Sequence, residues 1–245
     1  RGGYQELVDR LAAAIRVQGG RILTGTAVRT IPARDGRPLG VVTDEGLHEH
    51  DTVVTTQLRP ALDELLCDEL LGALGPDRNR YLGVICVVAR LRRSISPYYA
   101  LNITDRRIPL TSVVETTHVV DPEAVGGTLM YVPRYVDPAS PELERSSADL
   151  RREYLGHVRQ IFPAFRDDDV LDVQVARARI AEPVHPLGVT PRVPELFAAP
   201  GLAVASSARI YPELVNGQAV IGVAEDVARQ VLTTQTAVQP ELKAA

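Results

Sequence analysis

Cysteine is scarce. Only Cys67 and Cys86 occur in 245 residues, too few for a disulfide framework, so a reducing, cytoplasmic setting is the expectation. Cys86 lies inside the apolar run 82–88 and reads as a small buried hydrophobe. Lysine is scarcer still: Lys243 is the only one, so the basic charge is arginine, and the arginines are scattered rather than clustered. With a net charge of −4 the chain has no electrostatic drive toward nucleic acid. No stretch reaches the roughly 18 apolar residues of a membrane span, and the expectation is a chain without a signal peptide. G-x-S-x-G, C-x-x-C, H-E-x-x-H and the P-loop are all missing. No two glycines stand two apart, which excludes a G-x-G-x-x-G turn. The chain begins at Arg1 rather than Met, and the expectation is a processed or truncated polypeptide.

What is present is patterned. Leu7, Leu11 and Ile15 recur at i, i+4 and i+8 and predict a helix over 4–18 with one buried stripe; Gly19-Gly20 ends it. Residues 21–31 read as a strand. Residues 39–43 and 47–50 read as a hairpin around Asp44-Glu45-Gly46, and 52–56 as a buried strand. Pro60 opens a leucine-rich helix that closes before Gly75. Strand-like runs follow at 81–91, 98–104, 110–120 and 128–133. A helix is expected near 147–161, a long strand over 170–181, a short one at 201–206 and a last helix over 216–234. The proline-rich stretch from Pro183 to Pro200 suits a crossing between domains. The outer segments, 1–57 and 195–245, alternate helix and strand (α/β). The middle, 58–194, is a strand-rich α+β block, which predicts a discontinuous two-domain chain.

Several passages together resemble the FAD-dependent amine oxidases, phytoene desaturases and protoporphyrinogen oxidases. They are Gly2-Gly3 with the helix after it, Gly19-Gly20-Arg21-Ile22, Thr26-Ala27-Val28-Arg29-Thr30-Ile31 and Val53-Val54-Thr55-Thr56. Further on come Ile161-Phe162-Pro163-Ala164-Phe165, residues 177–183, and Gly201-Leu202 through Ile210-Tyr211-Pro212-Glu213. The resemblance covers nearly the whole chain, but only the C-terminal portion of the family. It implies an incomplete FAD-binding, Rossmann-like domain formed by both termini, 1–57 with 195–245, and an inserted mixed-sheet substrate-binding domain, 58–194. It places Val28 with its backbone on the adenine edge and Thr55 on the strand leaving the FAD domain. Asn216, Gly217 and Gln218 come at the start of the helix that faces the flavin. Two departures stand out: the glycine fingerprint for the pyrophosphate is absent, and the closing motif carries Leu214-Val215-Asn216-Gly217-Gln218 without its usual charges. FAD binding by this chain alone is accordingly expected to be weak or absent.

The chemistry at that helix is legible from its residues. Asn216 is a good N-cap, Gly217 permits close approach, and the free N–H groups with the helix dipole favour negative charge. Flavin oxidation needs positioning, a dry pocket and electrostatics rather than an acid–base constellation. Tyr98, Tyr131 and Arg134 are the candidate substrate contacts, with Tyr99 and Tyr135 nearby and core packing as the alternative for each. His48 and His50 share a strand face, yet a solvated hairpin edge explains them better than a metal, and no metal site is expected. The leading expectation is the substrate-binding and partial FAD-binding region of a flavin-dependent oxidoreductase acting on a largely apolar small molecule. A flavin-free derivative, binding a small molecule or catalysing isomerisation or cyclisation, is the alternative, and an interaction module a third. A homodimer or a complementing N-terminal FAD-binding segment is the expected macromolecular partner.

Overall fold

The computed structural model describes residues 3–77, 79–185 and 195–242. In chain order the elements are α1 (Gly3–Val17), β1 (Ala33–Arg34), β2 (Arg37–Pro38), β3 (Gly40–Thr43), β4 (Gly46–Glu49), β5 (Val53–Thr55), α2 (Arg59–Asp63) and α3 (Asp68–Leu74). Then come β6 (Arg80–Leu91), β7 (Ala100–Asn102), β8 (Ser112–Glu115), α4 (Pro122–Val125), β9 (Thr128–Val136), α5 (Ser147–Ile161) and β10 (Val170–Val184). The last are β11 (Phe197–Ala199), β12 (Leu202–Val204) and α6 (Gly217–Leu242). The chain divides into two compact units: Arg1–Ile22 with Tyr81–Ala181, and Leu23–Arg80 with Glu182–Ala245. Residues 58–80, read from the sequence as part of the middle block, fall in the second unit, and residues 1–22, read with the outer segments, fall in the first.

The first unit is built on a five-stranded sheet ordered β10-β6-β9-β8-β7. Strict alternation along β6 leaves Gly83, Ile85, Val87, Ala89 and Leu91 buried and the residues between them partly exposed, the period of a sheet covered on one face. The covering element is α5, whose Leu150, Tyr154, Leu155 and Val158 join Ile85, Val87, Val113, Met130 and Val132 in one core. The helix starts where Ser146 accepts from the Asp149 amide at 3.1 Å, a side-chain N-cap. Gly83 is required by packing: a Cβ there would sit 2.8 Å from the Arg179 carbonyl oxygen of β10.

The second unit joins both outer segments of the chain. β5 pairs in parallel with β12, Val53 to Leu202, Val54 to Ala203 and Thr55 to Val204; β11 pairs antiparallel on the other side of β12. Alternation along β12 sends Leu202 and Val204 into a core with Leu62 of α2, Leu70 of α3, Ile31 and Val53. Ala203 packs the other way, against Val227 of α6. The small sheet is thus covered on both faces, as parallel pairing requires. β3 and β4 form the expected hairpin. Gly40 has φ +135° and a Cβ there would lie 2.0 Å from the His48 carbonyl oxygen, so only glycine fits.

Several expectations are corrected. The stripe Leu7, Leu11 and Ile15 does share a face of α1, but it is open to solvent, at 45%, 56% and 46% exposure. Periodicity identifies the apolar face; it does not supply a covering layer. Residues 21–31 form no continuous strand: only Thr30 and Ile31 bridge, to Val42 and Leu66. The leucine-rich helix is two short helices, because between them Leu65 and Cys67 hydrogen-bond to Ile31 instead of continuing the helical ladder. Tyr98 and Tyr99 lie in a bend before β7, not on a strand. The proline-rich crossing lies, over 186–194, outside the described residues, as does Lys243.

Candidate functional site

In the second unit β5 and β12 run in parallel, and open α/β sheets commonly place ligands at the C-terminal ends of such strands. Thr55 closes β5. Its hydroxyl accepts from the Gln57 amide at 3.2 Å and its carbonyl from the Ala205 amide at 2.7 Å, so both take part in the chain's own turns while the hydroxyl proton is not used there. Beyond β12, Ser206 is buried and Arg209 sits in a short 3₁₀ turn, where burial lowers its guanidinium pKa. The chain then reaches Asn216. Its side-chain oxygen accepts from the Ala219 amide at 3.0 Å, its own carbonyl from the Val220 amide at 3.0 Å, and its amide donates to the Leu214 carbonyl. Asn216 therefore caps α6 as the sequence implied. The amides of Gly217 and Gln218 come before the first intrahelical bond, at an exposed helix start, with the positive end of the helix dipole behind them. Val28 packs its side chain against the core that holds Val53, Leu202 and Val204. Among the described residues its backbone N–H and C=O make no hydrogen bond.

In the first unit the sheet face opposite α5 is open. Register defines a row across four strands: Ala100 of β7 opposite Val114 of β8, Val114 opposite Tyr131 of β9, and Tyr131 opposite Val88 of β6. Pro133 and Tyr135 continue this face opposite Cys86 and Val84. All are apolar or aromatic, and half-buried or exposed. Cys86 is half-buried here rather than in the core, and desolvation raises its thiol pKa. Tyr98, 61% exposed, stands in the loop that enters β7.

Arg134 does not join them. Alternation along β9 turns it to the covered face, with Val132 and Val136. There its Nη1 lies 2.5 Å from Glu142 Oε2 and 4.0 Å from Glu153 Oε1. The Glu142 contact is an ion pair without hydrogen-bond geometry, since Glu142 Oε2 is otherwise unpaired. Beside this group Tyr154 is fully buried with an unpaired hydroxyl, its pKa pushed up to about 12 chiefly by desolvation.

One constellation escaped the sequence reading. Glu115, 1% exposed, accepts from the Ser94 hydroxyl at 2.6 Å and the Ile95 amide at 3.1 Å. His118, isolated in sequence, lies 3.6 Å from it. A carboxylate closing the β-branched run Ser112-Val113-Val114-Glu115 was the available signal, because a charge inside a strand needs partners. Among the described residues no group of three or more His, Cys, Asp or Glu is placed to hold a metal. No described helix is long and apolar enough to cross a membrane.

A family model for flavin-containing amine oxidoreductases matches residues 1–225. The chain belongs to this family. Among solved structures, it is similar to a protein described as a putative protoporphyrinogen oxidase from Exiguobacterium sp. 255-15, with a TM-score of 0.71 and 18% identity over 94% of this chain and 51% of that one. An oxidoreductase from Methanosarcina mazei gives a TM-score of 0.59 and 23% identity over 85% and 50%. At such identities the likeness is one of fold. No curated protein sequence matches. This amine oxidoreductase-family chain thus spans about half the length of the structures it resembles. Flavin is the family's cofactor.

Proposed function

We propose that the chain is the substrate-binding and partial FAD-binding portion of a flavin-dependent oxidoreductase whose substrate is a largely apolar small molecule. The observation that carries this reading is the open, apolar face of the five-stranded sheet, crossed by the row Ala100–Val114–Tyr131–Val88. A face of this kind gains about 25 cal/mol per Å² of apolar surface covered, and its tyrosine rings can stack on a flat or unsaturated ligand. Tyr131 lies on this wall and Tyr98 beside it; both are substrate contacts in this reading.

Bound flavin would supply the hydride acceptor. The residues that would hold it are Val28, through its backbone on the adenine edge, and the Gly217 and Gln218 amides, which with α6 behind them would favour negative charge on the nucleotide, while Asn216 caps the helix start that aims them. Thr55 orders the turn after β5 and keeps its hydroxyl proton available to the cofactor. The exposed stripe of α1 supports association with a further polypeptide segment, such as a complementing FAD-binding segment, or with a second copy of the chain.

A second reading, a flavin-free binding protein or isomerase on the same sheet face, is favoured by the internal use of the hydroxyl oxygen and carbonyl of Thr55. Equilibrium titration of FAD with the purified protein, read as quenching of flavin emission with excess FAD left in place so that weak binding registers, separates the two. Saturable quenching that Gly217→Pro weakens, with the helix content unchanged, supports the FAD contact. No saturable quenching, with the sheet face still binding apolar dyes, overturns that contact and leaves the second reading.

A further inference from the structure

We propose that Glu115 is a positioning residue: its buried carboxylate clasps the loop 94–99 and so holds Tyr98 at the rim of the open sheet face. The inference rests on that face being the substrate wall. The clasp itself is visible in the hydrogen bonds, all of which lie within the first unit.

The loop between β6 and β7 has no ladder of its own over residues 94–99. It is tied down at four points. Glu115 Oε2 accepts from the Ser94 hydroxyl at 2.6 Å, and Oε1 accepts from the Ile95 amide at 3.1 Å. The backbone amide of Glu115 donates to the Tyr99 carbonyl at 2.8 Å. His118 Nε2 lies 2.9 Å from the Ser96 carbonyl. A carbonyl only accepts, so this nitrogen carries the proton and donates. Ser94 has one proton and two acceptors within reach, Glu115 Oε2 at 2.6 Å and the Ser96 carbonyl at 2.8 Å. A carboxylate oxygen has no proton to offer and is the nearer of the two, so the Ser94 proton goes to it. Ser96, 5% exposed, completes the loop by accepting from the Tyr98 amide at 3.1 Å.

Each tie comes from Glu115 or His118, and the tied segment ends on the two tyrosines. Tyr98 and Tyr99 are exposed, at 61% and 49%, so packing holds them only in part. Their backbone positions are set from below, by the clasp. The next residue, Ala100, begins the row through Val114 and Tyr131. A buried carboxylate is strongly destabilising unless its lone pairs are met, and here they are met only while the loop is closed. Carboxylate burial and loop closure are therefore one event.

The test uses two readouts on the full protein. Amide hydrogen exchange reports the loop directly. Glu115→Ala is expected to raise exchange at residues 94–99 by about tenfold or more while α5 and β9 keep their protection. Glu115→Gln is expected to rescue: its Oε1 still accepts from Ile95, its amide donates to Ser94 Oγ, and Ser94 turns to the Ser96 carbonyl. Should Glu115→Ala fail to fold, Ser94→Ala carries the same arm, with a smaller increase. The second readout is the dissociation constant of N-phenylnaphthylamine, an apolar fluorescent probe for the sheet face. Tyr98→Ala and Glu115→Ala are each expected to weaken it about fivefold, and the double variant no further, because coupled residues are not additive. Unchanged loop exchange in Glu115→Ala overturns the clasp. Loosened exchange with unchanged probe binding, or full additivity in the double variant, overturns the positioning of Tyr98. A wild-type protein that does not bind the probe overturns the substrate-wall reading, and the exchange arm still decides the clasp by itself.

Discussion

Tyr154→Phe should make the protein more stable. Tyr154 sits on α5 with no exposed surface and its hydroxyl has no hydrogen-bond partner. An unsatisfied buried hydroxyl costs about 1–3 kcal/mol. Removing the oxygen leaves a void of roughly 12 Å³, which at about 24 cal/mol per Å³ costs ~0.3 kcal/mol. The balance is a gain of about 0.7–2.7 kcal/mol, at roughly 2–4 °C in Tm per kcal/mol for a chain of this size. The same substitution has an alkaline signature. Burial raises the folded-state pKa of Tyr154 to about 12, while the unfolded chain titrates near 10. Between these values the unfolded state releases its proton first. The contribution of Tyr154 is therefore complete below pH ~10 and lost as pH rises toward ~12. The advantage of the phenylalanine variant should grow across that window. Urea titrations at neutral and alkaline pH, followed by tyrosine emission and by far-ultraviolet circular dichroism, measure both effects. Coincidence of the two probes shows that a single transition is being followed. A variant less stable than the parent by more than about 0.5 kcal/mol would mean that the hydroxyl is bonded, and the reasoning fails.

Two further outcomes follow, one from backbone geometry and one from an ion pair. Gly40→Ala should destabilise by about 1–3 kcal/mol, because a positive φ and a carbonyl oxygen both oppose the new methyl. Gly46→Ala in the same hairpin, with φ +112° and nothing within 4 Å of the added Cβ, should cost visibly less, and equal urea midpoints would refute the steric argument. Asp169 is held below the ordinary carboxylate pKa by its hydrogen bond to Arg93. A depressed folded-state pKa stabilises above the unfolded value and is lost as pH falls from roughly 4, so Arg93→Gln should flatten the acid limb of the stability profile, and an unchanged limb would show the pair to be idle.

Much of the fold was written in short-range chemistry. The β-branched apolar run of residues 81–91, the Ser146 cap with its apolar face, and the glycine-bounded hairpin at 44–46 each name their element without help from distant residues. What failed was set by partners. The stretch 21–31 has strand-like composition, but a strand exists only where a neighbour supplies hydrogen bonds, and here Val42 and Leu66 reach just two residues. The leucines of 60–74 suggest one helix because nothing local announces that Ile31 will claim Leu65 and Cys67. The site followed the same rule. Asn216 was legible because capping is local. Arg134 was misplaced because its face depends on strand phase: three residues from Tyr131, it must point the other way. Glu115 was missed because its partners, Ser94 and Ile95, lie some twenty residues back along the chain.

The chain contains eight tyrosines and no tryptophan. Its ultraviolet emission therefore comes from phenol rings alone, and two of them, Tyr131 and Tyr135, stand on the bare side of the five-stranded sheet. Any absorbing molecule that settles there becomes an energy acceptor within a few ångströms of its donors. The protein carries a built-in optical gauge of that surface, and occupancy can be followed as lost phenol light without attaching a label.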